Sequence, residues 1–277
     1  MKMNPFLIPV FLGIALTTSG QEQIDFANEF RPKSKYVVTT KLERKTVQTY
    51  EASEDFINFL KSEGKDNPDN PKIYEEKLVA KIAYITGREK NGVMPIEIKY
   101  LETGLPKDEL IKNGQSIKGT YSLKDKIKVT DLPIDSVYGI GKNQLISSMN
   151  EKLSVDLFSS GKLTVGDSVT IKSPLSWAFG PSQFSIDVMN TYVLKNIASG
   201  KANFDIFTTY VYKPDYPEKL SASGNGSGNC VYDMEQRRIV SKNSSLRVVI
   251  TVHATKGTTY TIKRVSETTS FETTEVK

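Results

Sequence analysis

The residues able to carry chemistry in this 277-residue chain are few and stand apart. His253 is the only histidine. In Val248-Val249-Ile250-Thr251-Val252-His253, alternation puts it with Arg247, Val249 and Thr251 on the more polar side of a strand. A catalytic triad or a zinc site can use one histidine, but no recognisable nucleophile or second ligand lies nearby in sequence. It reads as a surface histidine. Three carboxylates, Asp205, Asp233 and Glu235, fall on neighbouring expected strands, and glycoside hydrolysis needs only two that converge. Acids are common on half-exposed strands, so a carboxylate hydrolase ranks last among the readings.

Gly224-Asn225-Gly226-Ser227-Gly228 has the composition of a phosphate-binding loop. It lacks the Gly-Lys-Ser/Thr ending and a helix to follow. Ser227 also has Asn225 where a nucleophile elbow needs glycine. The stretch reads as a flexible loop or a bulge at the start of a strand. No catalytic residue, metal site or cofactor follows from these groups, and the chain reads as a non-enzyme.

The remaining candidates are apolar. Trp177-Ala178-Phe179-Gly180-Pro181 is expected in a loop, as an exposed contact point or as a plug folded into the core. An expected helix over about residues 142–157 carries Leu145, Ile146, Met149, Leu153 and Leu157 along one side, a stripe that serves core packing more often than ligand contact. Trp177, Phe179, Leu145 and Met149 are the candidate contacts for a ligand or partner. Cys230 is the only cysteine, so no intramolecular disulfide forms. Beside Val231-Tyr232 it reads as a buried small hydrophobe, and replacing it with serine is expected to be nearly silent.

The elements that position these residues are mostly strands. Runs rich in Val, Ile, Thr and Tyr, with Gly and Asn turns between them, predict an antiparallel, mainly β fold. Residues 36–50 predict one long strand or a hairpin. Residues 78–86 and 93–101 flank Asn91-Gly92, a strong hairpin signal; 116–123 and 126–130 form another pair. Residues 184–197 and 202–212 flank Ala198-Ser199-Gly200-Lys201. Segments 228–234, 239–241, 246–254 and 258–266 complete a meander. A first helix starts at Ser53, with Glu54 and Asp55 in its first turn and Phe56, Ile57 and Leu60 on its apolar side, and Gly64 ends it.

The two halves echo one another. Gly92-Val93-Met94-Pro95-Ile96 resembles Gly200-Lys201-Ala202-Asn203-Phe204, and Ser116-Ile117-Lys118-Gly119-Thr120-Tyr121 resembles Ser227-Gly228-Asn229-Cys230-Val231-Tyr232. The expected organisation is therefore a signal peptide (1–20), an N-terminal β lobe with a helical insertion (21–140), a connecting helix (141–160) and a C-terminal β lobe (161–277). The two lobes are read as related half-barrels.

The signal peptide is read from Lys2, the uncharged apolar run 5–16 and the small residues Thr18-Ser19-Gly20. Cleavage after Gly20 predicts a periplasmic or extracellular protein. Gln21 rather than cysteine follows, so no lipid anchor is expected there. No later stretch is long and apolar enough for a membrane-spanning helix. The net charge is +5, but basic residues are interleaved with acids, as in Lys41-Leu42-Glu43-Arg44-Lys45, which makes a solvated face rather than a nucleic-acid track.

Leu163-Thr164-Val165-Gly166-Asp167-Ser168-Val169, a long hairpin, Gly224-Asn225-Gly226-Ser227-Gly228 and then Val231-Tyr232-Asp233 together resemble an uncharacterised family of exported bacterial β-rich proteins, a domain of unknown function. Val169 stands where that family commonly has an aromatic. The resemblance implies a fold and export but no catalytic residue. The architecture more distantly resembles the half-barrels of periplasmic lipoprotein carriers. The expected function is an exported, non-catalytic binding protein for a lipid, another apolar or amphipathic ligand, or an envelope partner. The alternative is a structural or interaction module of the cell envelope without a ligand pocket.

Overall fold

The computed structural model describes residues 23–62, 70–104, 111–137, 140–153, 161–179, 182–212, 220–255 and 259–277. At residues 60, 151–153, 173–179, 182–186, 211, 254–255 and 259–260 the description covers the backbone alone. The proposed signal, Gly64 and residues 154–157 of the expected second helix lie outside it.

The protein is mainly β. The first half contains β1 (Gln23–Phe26), β2 (Lys35–Ala52), α1 (Glu54–Ser62), β3 (Lys72–Thr86), β4 (Val93–Glu102), β5 (Ser116–Ser122), β6 (Lys126–Asp131), β7 (Ser136–Val137) and β8 (Ile140–Gly141). Then come α2 (Lys142–Leu153), β9 (Gly161–Thr164), β10 (Ser168–Phe179), β11 (Ser182–Ala198), β12 (Lys201–Val211), β13 (Leu220–Asp233), β14 (Arg238–Thr255) and β15 (Thr259–Val276). Eleven strands make one antiparallel sheet in the order β10-β11-β12-β13-β14-β15-β2-β3-β4-β5-β6; β1 pairs with β9, and β7 with β8.

The echo between the halves extends to strand register. Tyr84 faces Ile98 and Thr86 faces Ile96; Tyr192 faces Ile206 and Leu194 faces Phe204, so both partners move by 108 (84 to 192, 98 to 206). Met94 faces Tyr121 as Ala202 faces Tyr232, where the second partner moves by 111. The turns match as well. Asn91 and Gly92 have positive φ of 54° and 76°, and Ser199 and Gly200 have 50° and 74°. Two consecutive positive φ values give the turn whose twist suits a two-residue hairpin.

Three segments depart from expectation. Gly224 to Gly228 is neither loop nor bulge but lies inside β13, paired with β12 and β14. A Cβ at Gly226 would stand 2.5 Å from the Ser245 carbonyl oxygen, and one at Gly228 2.1 Å from that of Asn243. Glycine at alternate positions lets neighbouring backbones crowd together where the sheet bends, which is what an interior strand glycine is suited to. Residues 239–241 and 246–254 belong to one uninterrupted strand, β14. Trp177 and Phe179 sit in β10 rather than in a loop, paired with Phe184 and Ser182.

Register places the core residues of both halves on a single face of the large sheet. At one end Tyr192, Leu194, Phe204, Ile206, Cys230 and Tyr232 are covered by Ile24, Phe26 and Leu163 of the β1–β9 ribbon. At the other, Tyr36, Met94, Ile96 and Tyr121 surround Phe30. Beside them Ile98, Ile117, Val129 and Leu132 are covered by α2. The Asn150 side chain fixes that helix, accepting from the Val129 N–H at 2.6 Å and donating to the Val129 carbonyl at 3.1 Å.

Residues 27–31 run between the two end cores across the same face. The Tyr232 hydroxyl donates to the Ala27 carbonyl at 2.8 Å, and the Glu29 N–H donates to the Arg237 carbonyl at 3.2 Å. The buried Arg238 guanidinium lies 4.4 Å from the Phe30 ring centre and 4.2 Å from that of Tyr36. Stacking on π faces offsets part of the cost of burying that charge, and burial holds the Arg238 pKa below its usual value.

Candidate functional site

The cores occupy one end of the long strands. Past them β13, β14, β15, β2 and β3 continue as a projecting sheet that no described element backs. Its core-side face is concave. Tyr210 on β12 and Arg44 on β2 are separated by four strand spacings, about 19 Å on a flat sheet. Burial raises the pKa of the Tyr210 phenol and the Arg44 charge opposes that rise. Tyr74 on β3 and Ile250 on β14 line one cavity although two strands lie between them. Gly224 provides part of this curvature: a Cβ there would approach the Tyr210 ring to 3.0 Å.

Between these walls lies a trough of about 300 Å³, lined by Arg44, Thr46, Tyr74, Glu76, Ile250, Arg264 and Ser266. Each residue is placed by alternation. Register runs Ile250–Arg264–Gln48–Lys72 across four strands in one row and Val248–Ser266–Thr46–Tyr74 in the next. Val248 and Ile250 form a buried apolar floor. Thr46 Oγ1 and Ser266 Oγ are 2.9 Å apart, and Arg264 Nε donates to the buried Gln48 side chain, which in turn donates to the Tyr50 hydroxyl. Arg264 is thereby oriented from below. Arg44 sits at the rim, 3.4 Å from Glu76, with both side chains near half exposure. Such a surface ion pair contributes little and yields readily to a competing anion. The trough is thus lined by two guanidinium groups, an aromatic ring and an aliphatic side chain.

A larger, shallower depression of about 540 Å³ is lined by residues 43–45, 75–77, 245–247 and 267–269. It is dominated by charges of both signs.

The sequence-predicted candidates fall elsewhere. Leu145 and Met149, with Ile146, lie half-buried against the Ile98–Ile117–Val129–Leu132 cluster. Neither lines the trough or the depression. Trp177 and Phe179 are placed by backbone only, and their side chains lie outside the described residues. Asp205 and Asp233 do not converge. Asp205 pairs with Lys195 at 3.1 Å and Asp233 with Lys201 at 3.0 Å. Asp205 and Lys201 are four residues apart on β12, roughly 13 Å at strand rise, so the two acids are held well apart. Glu235 uses its backbone carbonyl to accept from Arg31. His253 is exposed, with Nδ1 3.0 Å from Thr261 Oγ1 across the strand pair. Among the described residues no group of three or more His, Cys, Asp or Glu is placed to hold a metal ion.

No family model and no curated protein matches this chain. No helix of the described residues is long and apolar enough to cross a membrane.

Proposed function

We infer that this protein is an exported, non-catalytic binding protein that takes an amphipathic anion on the concave face of its sheet. The observation that carries the reading is the trough, where Arg44 and Arg264 line one cavity with Tyr74 and Ile250. An acidic head group engages the guanidiniums through charge-assisted hydrogen bonds, while an apolar chain lies along the floor. The volume is at the lower end of small-ligand pockets, enough for a head group and the first few carbons, and the open trough lets a longer chain continue along it. The leader-like residues 1–20 and the resemblance to exported β-rich proteins support a location outside the cytoplasm. The half-barrel likeness supports a carrier-like use of the concave face.

The test is titration of the purified protein with dodecanoate and, as a control, dodecanol, beside native mass spectrometry of freshly exported material. Arg44→Ala is expected to weaken dodecanoate binding about 10- to 100-fold, the weight of a hydrogen bond to a charged group, with the melting temperature unchanged. Equal binding of acid and alcohol, or no effect of Arg44→Ala, refutes the reading. For export, N-terminal sequencing of the mature protein is expected to begin Gln21-Glu22-Gln23, and a retained Met1 on exported material refutes the cleavage.

A further inference from the structure

We propose that the opposite, convex face of the projecting sheet is the contact surface of a symmetric dimer of this chain. On that face register aligns Val249, Val265, Val47 and Ile73 in one row across β14, β15, β2 and β3. Ile73 is 58% exposed, and Val249, Val265 and Val47 are only partly buried. The adjacent row is Arg247, Glu267, Lys45 and Glu75, a strict alternation of plus, minus, plus and minus. Within it Arg247 and Glu267 are 3.6 Å apart with both side chains more than half exposed.

The second copy as occupant follows from charge complementarity. A twofold axis parallel to the strands, between β15 and β2, lays each row against itself in reverse order. Arg247 then faces Glu75 of the other copy, and Glu267 faces Lys45, so all four positions meet an opposite charge. In the apolar row Val265 meets Val47 and Val249 meets Ile73. The contact is isologous, as a closed dimer requires, and stacked sheets leave about 10 Å for these side chains. Sheet twist makes the two central pairs, Glu267–Lys45 and Val265–Val47, the closest.

Four strands by these two rows span about 19 by 14 Å, or roughly 260 Å² per copy, about a third of what a standard stable interface buries on each side. The dimer is therefore weak, concentration-dependent and sensitive to salt, because rim charges are screened. This surface is independent of the trough, and the dimer forms without ligand.

Sedimentation velocity across a concentration series tests the proposal, with circular dichroism melts to verify folding. Wild type is expected to dimerise with rising concentration. Lys45→Glu and Glu267→Lys each place like charges at both central contacts, and each is expected to weaken the dimer by about tenfold or more. An equimolar mixture of the two variants restores every opposite-charge contact and is expected to dimerise again. The double variant Lys45→Glu/Glu267→Lys reorders the row within the chain to plus, plus, minus, minus but keeps every contact across the axis opposite in charge, and is expected to dimerise by itself. A wild type that stays monomeric overturns the proposal, and so does a dimer indifferent to both single swaps or a mixture that stays monomeric.

Discussion

Phe26 carries more of the C-terminal core than its place in a four-residue strand suggests. Its ring is 1% exposed and lies 4.6 Å from the Phe204 ring, 5.1 Å from Tyr232 and 6.0 Å from Tyr192. Phe26→Ala deletes a fully buried ring from a site whose walls are fixed by strand register and have little freedom to collapse inward. The expected loss is about 3–5 kcal/mol, with each aromatic pair accounting for roughly 0.5–1.5 of that. Against a native stability of about 5–15 kcal/mol this is a large fraction, and it corresponds to a fall in melting temperature of roughly 6–20 °C. Urea titration followed by far-ultraviolet circular dichroism gives the free energy, and an unchanged m-value shows that the denatured state is not what moved. Phe30→Ala, whose ring meets Tyr36 and Tyr121 at 5.1 Å each, belongs in the same experiment. Phe26 ends β1 and Phe30 lies in the crossing segment that follows it directly, so once either is gone that segment is loosened and the second removal is expected to cost less than the first. A loss below about 1 kcal/mol for Phe26→Ala, no more than an ordinary substitution produces, would show that the β1–β9 ribbon is an ornament on a core that stands without it.

Gly228→Ala is expected to destabilise by about 1–3 kcal/mol through overpacking, because the new methyl meets the Asn243 carbonyl; Gly141→Ala, with open space around it, is expected to be neutral or slightly stabilising, and equal melts for the two would refute the crowding argument. Cys230 is 1% exposed with its thiol pushed up to about 12 by burial, Lys242 opposing; it is expected to resist alkylation at pH 8 until urea unfolds the chain, and fast labelling of native protein would contradict its placement. Burial also revises the expectation for serine: Cys230→Ala is the quieter change, while Cys230→Ser leaves a hydroxyl unpaired and is expected to cost about 1–3 kcal/mol. At Asp233 burial raises the pKa, but the Gln236 N–H at 2.9 Å and Lys201 outweigh it and hold the carboxyl below its ordinary 3.8. Its folded value is thus the depressed one, so its contribution is present above the unfolded pKa and is lost as pH falls through the folded value. Asp233→Asn is expected to flatten the acid limb of the stability profile, and an unchanged limb refutes this.

The hairpins were legible because their turns need particular residues: Asn91-Gly92 and Ser199-Gly200 adopt the paired positive φ that few other dipeptides accept. The projecting sheet was not legible. Strands with one face filled by a core alternate cleanly, as β5 does with Ile117, Gly119 and Tyr121 all turned inward. Where polar residues fill both faces of a strand the alternation dissolves, and the stretch Lys242-Asn243-Ser244-Ser245 in β14 reads as a turn. Gly224 to Gly228 failed for a related reason, since a strand chosen for close backbone approach has the composition of a loop. The trough was invisible for a geometric reason. Arg44, Tyr74, Ile250 and Arg264 come from four strands, and only cross-strand register brings them together. The apolar stripe on α2 was visible, but periodicity alone does not say which surface it covers.

The pairing of β15 with β2 sets the order in which this chain becomes complete. Val276 lies beside Tyr36, and Val265 beside Val47, so the seam joins residues more than two hundred positions apart. Every other pairing in the large sheet links strands consecutive in number and close in sequence. The meanders on either side can therefore assemble from local contacts, while the seam waits for the last strand and bears the full entropy of closing the longest loop. Until then the long edges of β2 and β14 lie open, the condition under which strand edges pair with the wrong partner. The sheet stays divisible until residue 276 has arrived, and only then do its two halves lock together.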